Sequence, residues 1–211
     1  WPSYSAIITR SYKGRDKCIN LGPCNTGCAQ GAKSSVDITY WPYAIKNGVI
    51  LKTHCRVCKI IVNKADKATG VIYYDESGAE CQQNARVVIV ACNGVGTPRL
   101  LLNSSCASFR DGLSNRSGLV GKNLMLHPLG YVEGLFEDNI NSQMGPQGCC
   151  IQSQEFYESD AKRDFLRGYT MQILRGPGPV ETATSGFAKR EIPWGVEHHS
   201  AFAKRFGHAI G

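Results

Sequence analysis

No hydrophobic run in this sequence is long. The longest apolar stretch, Val87–Cys92, falls far short of the ~20 residues a membrane-crossing helix needs, so no transmembrane segment is expected. A block of five or more basic residues is also lacking, although the net charge is +7 over 211 residues. The stretch Lys59–Lys67 holds only Lys59, Lys64 and Lys67, offset by Asp66. Nucleic-acid surfaces interleave basic patches with aromatics, so a solvated surface is expected here and a nucleic-acid partner is not. Neither an internal repeat nor a low-complexity segment is visible. The chain opens Trp1-Pro2-Ser3-Tyr4, without Met or a charged-then-apolar leader, and closes on Gly207-His208-Ala209-Ile210-Gly211. That reads as a piece of a longer protein, and it leaves the compartment open between cytoplasm and periplasm.

What is present is an ordinary globular composition, 42% hydrophobic and 19% charged, of a length that suits one or two domains. Glycine is in excess, 23 of 211 residues, against roughly 7% in average proteins. Tight turns, or backbone packed close to a ligand, account for such an excess. Ten cysteines are present, and without a leader the default is reduced thiols. Cys18, Cys24 and Cys28 stand apart, spaced Cys-x5-Cys-x3-Cys among Gly22, Pro23, Gly27 and Gly31. Thiolates gathered on a glycine-rich loop hold zinc or an iron–sulfur cluster. No further His or Cys follows with zinc-finger spacing, so three thiolates suit a three-iron cluster better. The alternative is small buried residues in a tight loop. Cys55 and Cys58 lie three apart in an alternating run, which points them to opposite faces of a strand; they read as structural.

The spacing predicts a helix over Ser34–Asn47, with Asp37 in its first turn, Gly48 past its end and a kink at Pro42. Three strands follow: Val49–Val62, broken near Cys55, then Gly70–Tyr74 and Glu80–Gln83. The polar turns between them imply an antiparallel meander. Val87–Cys92 is continuously apolar, as in a strand buried on both faces of a parallel sheet. It runs into Asn93-Gly94-Val95-Gly96-Thr97-Pro98-Arg99, where Thr97 suits a helix cap and Pro98 a first helical position. Strand, glycine turn and helix together point backbone N–H groups at an anion. Arg99 at that helix start suits a phosphate, and equally a carboxylate. The pattern is not a full dinucleotide fingerprint, because Arg99 replaces the last glycine, and no acidic strand follows as an NAD site requires. After Ser104 the periodicity weakens and Gly and Pro punctuate often, with a charged surface helix or loop at Asp160–Arg167. A domain change is placed near Ala107.

Four segments in order resemble one family. Ala91-Cys92-Asn93-Gly94-Val95-Gly96-Thr97-Pro98-Arg99-Leu100-Leu101-Leu102-Asn103-Ser104 is similar to the second signature of the glucose–methanol–choline (GMC) flavoprotein oxidoreductases. Gly27-Cys28-Ala29-Gln30-Gly31-Ala32-Lys33-Ser34 resembles a segment of the family's bacterial dehydrogenases. Cys55-Arg56-Val57 with Ile60 resembles the strand whose valine backbone meets the adenine of FAD. Gly118–Pro128 resembles the Val-Gly-x-Asn-Leu-x-x-His-Pro segment that follows the signature. Asn93 stands where many members have Gly, and Ser105-Cys106-Ala107 replaces Gly-aliphatic-Gly.

The resemblance implies an α/β chain, α+β overall: part of a Rossmann-like FAD-binding domain with a β-meander over residues 1–107, including the cysteine loop 18–33, then part of a substrate-binding domain over 108–211. It implies FAD contacts at Val57, Ala91, Cys92, Asn93 and Thr97, and an alcohol or sugar substrate oxidised at CH–OH by hydride transfer to flavin. Electrons then pass to oxygen, a quinone or an acceptor protein. It implies that the histidine base and the pyrophosphate loop lie outside these residues, so no catalytic residue is assigned, His127 included. Several related dehydrogenases carry cysteines with the spacing of Cys18, Cys24 and Cys28, which makes these three the candidate cluster ligands. Two other readings stand beside this one: an NAD-dependent Rossmann oxidoreductase, and a non-enzymatic metal-binding module. His198-His199 read as surface histidines, and no bond is assumed between Cys149 and Cys150.

Overall fold

The β-branched run after Cys55 and the polar turns that follow it dictate a three-stranded meander. In the computed structural model, which describes residues 2, 7–22, 24, 26–146, 149–188 and 192–211, strand β1 is Arg56–Val62, β2 is Ala68–Tyr74 and β3 is Glu80–Asn84. They pair antiparallel in the order β1-β2-β3. The turns are closed by side chains. Asn63 Oδ1 accepts from the N–H groups of Ala65 and Lys67, and Asp75 Oδ1 accepts from those of Ser77 and Ala79. Short polar side chains that bond their own backbone in this way favour turns over continued strand. The expected meander is present, but its first strand is shorter than the sequence pattern suggests: 49–55 form no strand. The register shifts between Val57 and Lys59, next to Cys58, whose thiol donates to the Ile72 carbonyl.

The meander belongs to one of two compact units, Val49–Leu129; the other comprises Trp1–Gly48 and Gly130–Gly211. In the first of these, the core is Ile60, Leu100 and Leu113, with Val62, Val71, Val88, Val90, Leu101 and Phe109 packed around it. Residues beyond the boundary read near Ala107 share this core, because Phe109 and Leu113 are part of it. Gly112 lets that loop close on the helix. A Cβ there would sit 2.8 Å from Leu102 Cα, and its φ of +98° favours glycine.

Two expectations are corrected here. Val87–Cys92 is not a strand. Val88 and Val90 face the core while Val87 and Ile89 are 74% and 85% exposed, so the residues alternate as strand residues do, but no strand among the described residues pairs with them. A continuous apolar run reports burial, and a strand also needs a hydrogen-bonded neighbour. The helix after it does not start at Thr97. It is Asn93–Asn103, α3 of the chain, and both Thr97 and Pro98 lie inside it.

In the other unit the predicted single helix is two, α1 Val36–Thr39 and α2 Trp41–Lys46, with Pro42 in the first turn of α2. The expected disruption at Pro42 thus appears as a break at Tyr40. Strand β4 (Gly134–Leu135) pairs with β7 (Ala209–Ile210), and β5 (Cys149–Ser153) with β6 (Met171–Leu174). Leu174 and Gly211 exchange backbone hydrogen bonds, which joins these two small sheets. Helix α4 is Pro179–Ala188 and α5 is His198–Arg205. Arg205 pairs with Glu133. Asp160–Arg167 is a loop of turns in which Arg163 donates to the carbonyls of Phe156 and Glu158. No helix among the described residues is long and apolar enough to cross a membrane.

One side chain ties helix to sheet in the meander unit. Ser104 is fully buried; its hydroxyl donates to the Leu100 carbonyl at 2.6 Å and accepts the Ile60 N–H at 2.9 Å. Ser104→Ala leaves the buried Ile60 N–H without its acceptor. It is expected to cost about 1–3 kcal/mol in denaturant unfolding, whereas Ser105→Ala, one residue on and exposed, should change stability within about 0.5 kcal/mol.

Candidate functional site

The start of α3 is shaped by Asn93. Its φ is +63°, a left-handed conformation that glycine adopts freely and asparagine tolerates better than most residues. That accounts physically for Asn at a position where glycine is common in the family. From there the Asn93 side-chain carbonyl accepts the N–H groups of Val95 at 2.9 Å and Gly96 at 3.0 Å. These are donors that a helix start leaves without intrahelical partners. Thr97 closes the turn from inside, its hydroxyl accepting the Cys92 N–H at 3.1 Å. A Cβ on Gly96 would meet Cys92 Cβ at 3.0 Å, whereas one on Gly94 would meet nothing within 4 Å.

Once the helix is known to begin at Asn93, positions 92, 96, 99 and 103 fall at i, i+4, i+7 and i+11, one face of one helix. This face and the start of β1 enclose a groove of about 270 Å³. Its lining includes Arg56, Val57, Cys92, Gly96, Arg99 and Asn103. β1 is the edge strand of the meander, so no further strand of the sheet covers Val57. The groove has an apolar wall from Leu100 and Cys58 and two guanidinium groups. Arg56 lies over the Tyr74 ring, 5.5 Å from its centroid.

The structure therefore brings together two of the expected cofactor residues, Val57 and Cys92. Ala91, Asn93 and Thr97 flank the groove without lining it; Asn93 Oδ1 and Thr97 Oγ1 accept hydrogen bonds within the turn. Sequence reasoning missed Asn103, whose signal is its spacing of four from Arg99, legible only with the helix start fixed. Among the described residues no carboxylate pairs with Arg99.

The cysteine loop is the clearest disagreement with expectation. Cys18, Cys24 and Cys28 are described, yet no group of three or more His, Cys, Asp or Glu among the described residues is placed to hold a metal ion. Each engages its own neighbourhood. The Cys18 sulfur accepts the Asn20 N–H at 3.3 Å. The Cys24 carbonyl accepts from Lys33 Nζ at 3.2 Å. Hydrogen bonding from the Lys33 backbone, foremost, and from Ala32, Gln30 and Gly31 holds the Cys28 thiol below its ordinary value, against a smaller opposing effect of burial. Nothing among the described residues supports these three as the ligands of one cluster. Cys55 and Cys58 likewise join no metal group. His198 and His199 open α5, where His198 meets Trp194 edge-on and stacks on Phe202. His127 is exposed.

Comparison with known proteins now has a geometry to meet. The sequence profile of the GMC oxidoreductases matches residues 4–129. The chain belongs to the GMC oxidoreductase family. It is 40% identical over 212 aligned residues, its whole length, to the 2-methyl-1,2-propanediol dehydrogenase of Mycolicibacterium austroafricanum, and covers 38% of that protein. It is 31% identical over 140 residues to the paromamine 6'-oxidase of Streptomyces fradiae, across 65% of this chain and 26% of that one. It is 29% identical over 127 residues to the fructose dehydrogenase large subunit of Gluconobacter japonicus, across 60% of this chain and 23% of that one. The chain thus spans less than two fifths of the length of these relatives. Family membership selects the flavin reading over the NAD-dependent and the metal-binding alternatives.

The turn gives a stability test. Asn93→Ala removes the acceptor for two N–H groups and puts a Cβ-bearing residue without a local partner at positive φ. A loss of about 1–2 kcal/mol is expected. Asn93→Gly keeps the conformation accessible and should cost only about a few tenths. Equal losses in the two variants, measured by denaturant titration, would show that the backbone angle does not matter, and no loss in either that the cap does not.

Proposed function

We propose that this chain supplies the adenine-side wall of the FAD site in an oxidoreductase acting on the CH–OH group of an alcohol or sugar. The observation that carries the reading is the groove itself. Val57 and Cys92, 35 positions apart in sequence (92 minus 57), line one cavity of about 270 Å³, and both belong to segments that the family uses toward FAD. The groove's donor set fits that end of the cofactor. It offers strand-edge backbone at Val57, an apolar wall from Leu100, and cationic side chains suited to an electron-rich, phosphate-bearing ligand. It lies beside a helix start, the usual neighbourhood of nucleotides in α/β proteins. The open space at Gly94 is what close approach by a group outside the chain's own atoms requires.

When bound, FAD accepts the hydride from the alcohol carbon; the flavin carries that chemistry and the protein supplies binding and orientation. On this reading the chain's own residues act at a distance from the reacting atoms. Ser104 holds the helix against β1, Asn93 fixes the turn, and the groove face of α3 anchors the cofactor. Residues 1–107 are proposed to serve FAD and 108–211 the substrate. The relatives' names include a 2-methyl-1,2-propanediol dehydrogenase, a paromamine 6'-oxidase and a fructose dehydrogenase, which supports a CH–OH donor as the substrate class. The electron acceptor is proposed to be a quinone, an acceptor protein or oxygen.

The test fills the groove. Cys92→Trp in the intact enzyme should weaken FAD by about tenfold or more, the loss of one good desolvated contact region, read by flavin fluorescence titration of the flavin-stripped protein. Riboflavin, which lacks the adenine end, should bind the variant and the parent alike. Unchanged FAD affinity with a normal circular dichroism spectrum would place the adenine elsewhere.

A further inference from the structure

Resting on the reading of the groove as the adenine site, we propose that Arg99 and Asn103 determine its base specificity: Arg99 lies against the purine face and Asn103 reads the adenine edge. Neither residue is among the contacts that the resemblance implies, which are Val57, Ala91, Cys92, Asn93 and Thr97. The argument is one of chemistry and spacing. Arg99 and Asn103 are four apart on α3, so their side chains share one face, and both line the groove that contains Val57. Both are solvent-exposed, so neither is consumed in the core. Arginine presents a flat, weakly hydrated cation that stacks on aromatic faces. It carries only donors, so it cannot accept from the adenine amino group. The other guanidinium of the groove, Arg56, already rests on Tyr74, which leaves Arg99 to meet the base.

Asparagine has what arginine lacks. Its carboxamide carries a donor and an acceptor side by side, the pattern that matches N7 and the N6 amino group of adenine. Guanine presents acceptors at both N7 and O6, so the same carboxamide is left with an acceptor facing an acceptor. The groove therefore favours an adenine dinucleotide over a guanine one. Cys58, Cys92 and Leu100 form its less polar surround, where a mismatched hydrogen bond is more costly than in open water.

The experiment uses the intact enzyme stripped of flavin, with AMP, GMP and adenosine as probes in calorimetric titrations. The parent should prefer AMP over GMP by about tenfold, within the range one bidentate base contact supplies. Asn103→Ala should abolish that preference. Arg99→Ala should weaken AMP, GMP and adenosine together by about fivefold, the scale of one stacked cation. Both substitutions place alanine in a helix, which favours helical structure, and a thermal melt checks that the fold persists. If adenosine binds Arg99→Ala as it binds the parent while AMP weakens, Arg99 meets the phosphate and the stacking role is overturned. If Asn103→Ala keeps the AMP preference, the edge-reading role is overturned. Should both variants match the parent while Cys92→Trp still blocks AMP, the groove remains the adenine site and only this inference fails. AMP binding that survives Cys92→Trp overturns both.

Discussion

The Ser104 hydroxyl is the point on which the meander unit turns. A helix and an edge strand are packed together by Ile60, Leu100 and Leu113, but apolar contact alone does not fix how far one slides along the other. The hydroxyl does, because it is committed in two directions at once, to the Leu100 carbonyl and to the Ile60 N–H. Both groups are backbone, and Ser104 is fully buried. The arrangement therefore locks main chain to main chain, and the cost of breaking it is that of an unsatisfied buried donor. The groove lies on either side of that lock, with Val57 on the strand and Cys92, Gly96, Arg99 and Asn103 on the helix. Its width is set by a residue that does not line it.

The meander was legible in the sequence because each of its determinants is local. β-branched residues mark the strands, and Asn63 and Asp75 sit where their side chains close the turns. The break in the first predicted helix was legible for the same reason, since Pro42 acts through its own ring. The start of α3 was not. Thr97 and Pro98 look like a cap and a first helical position, and in isolation they are good ones. Asn93 takes the capping role instead, from a left-handed backbone angle that no composition rule reveals, and Thr97 turns inward to bond the Cys92 N–H. Starting the helix at Pro98 rather than at Asn93 hides half of the groove stripe, because positions 92 and 96 join the face of 99 and 103 only when the helix begins earlier.

Val87–Cys92 and the cysteine loop were less legible for a different reason. Both are patterns whose meaning depends on partners far away in sequence. A six-residue apolar run states that a segment is to be covered (the run is read directly from the sequence), and Val88 and Val90 are indeed packed into the core. It does not state which strand lies alongside. Likewise Cys-x5-Cys-x3-Cys states that three sulfurs are close along the chain. Convergence on one ion further requires the loop to fold inward, and here the local hydrogen bonds of Cys18, Cys28 and the Cys24 carbonyl direct it otherwise. Glycines permit such a loop to close, and they permit it equally to stay open.

The same economy governs the helix start and the groove. A residue that caps its own helix spends its polar atoms on the chain and has fewer left for a ligand. Asn93 and Thr97 are spent in this way, and neither lines the groove. The side chains that do line it, Arg99 and Asn103, lie beyond the first turn and have no part in capping the helix start. A rigid turn followed by an uncommitted face separates the work of folding from the work of recognition. Such a division allows ligand preference to change at positions 99 and 103 without disturbing the lock at Ser104.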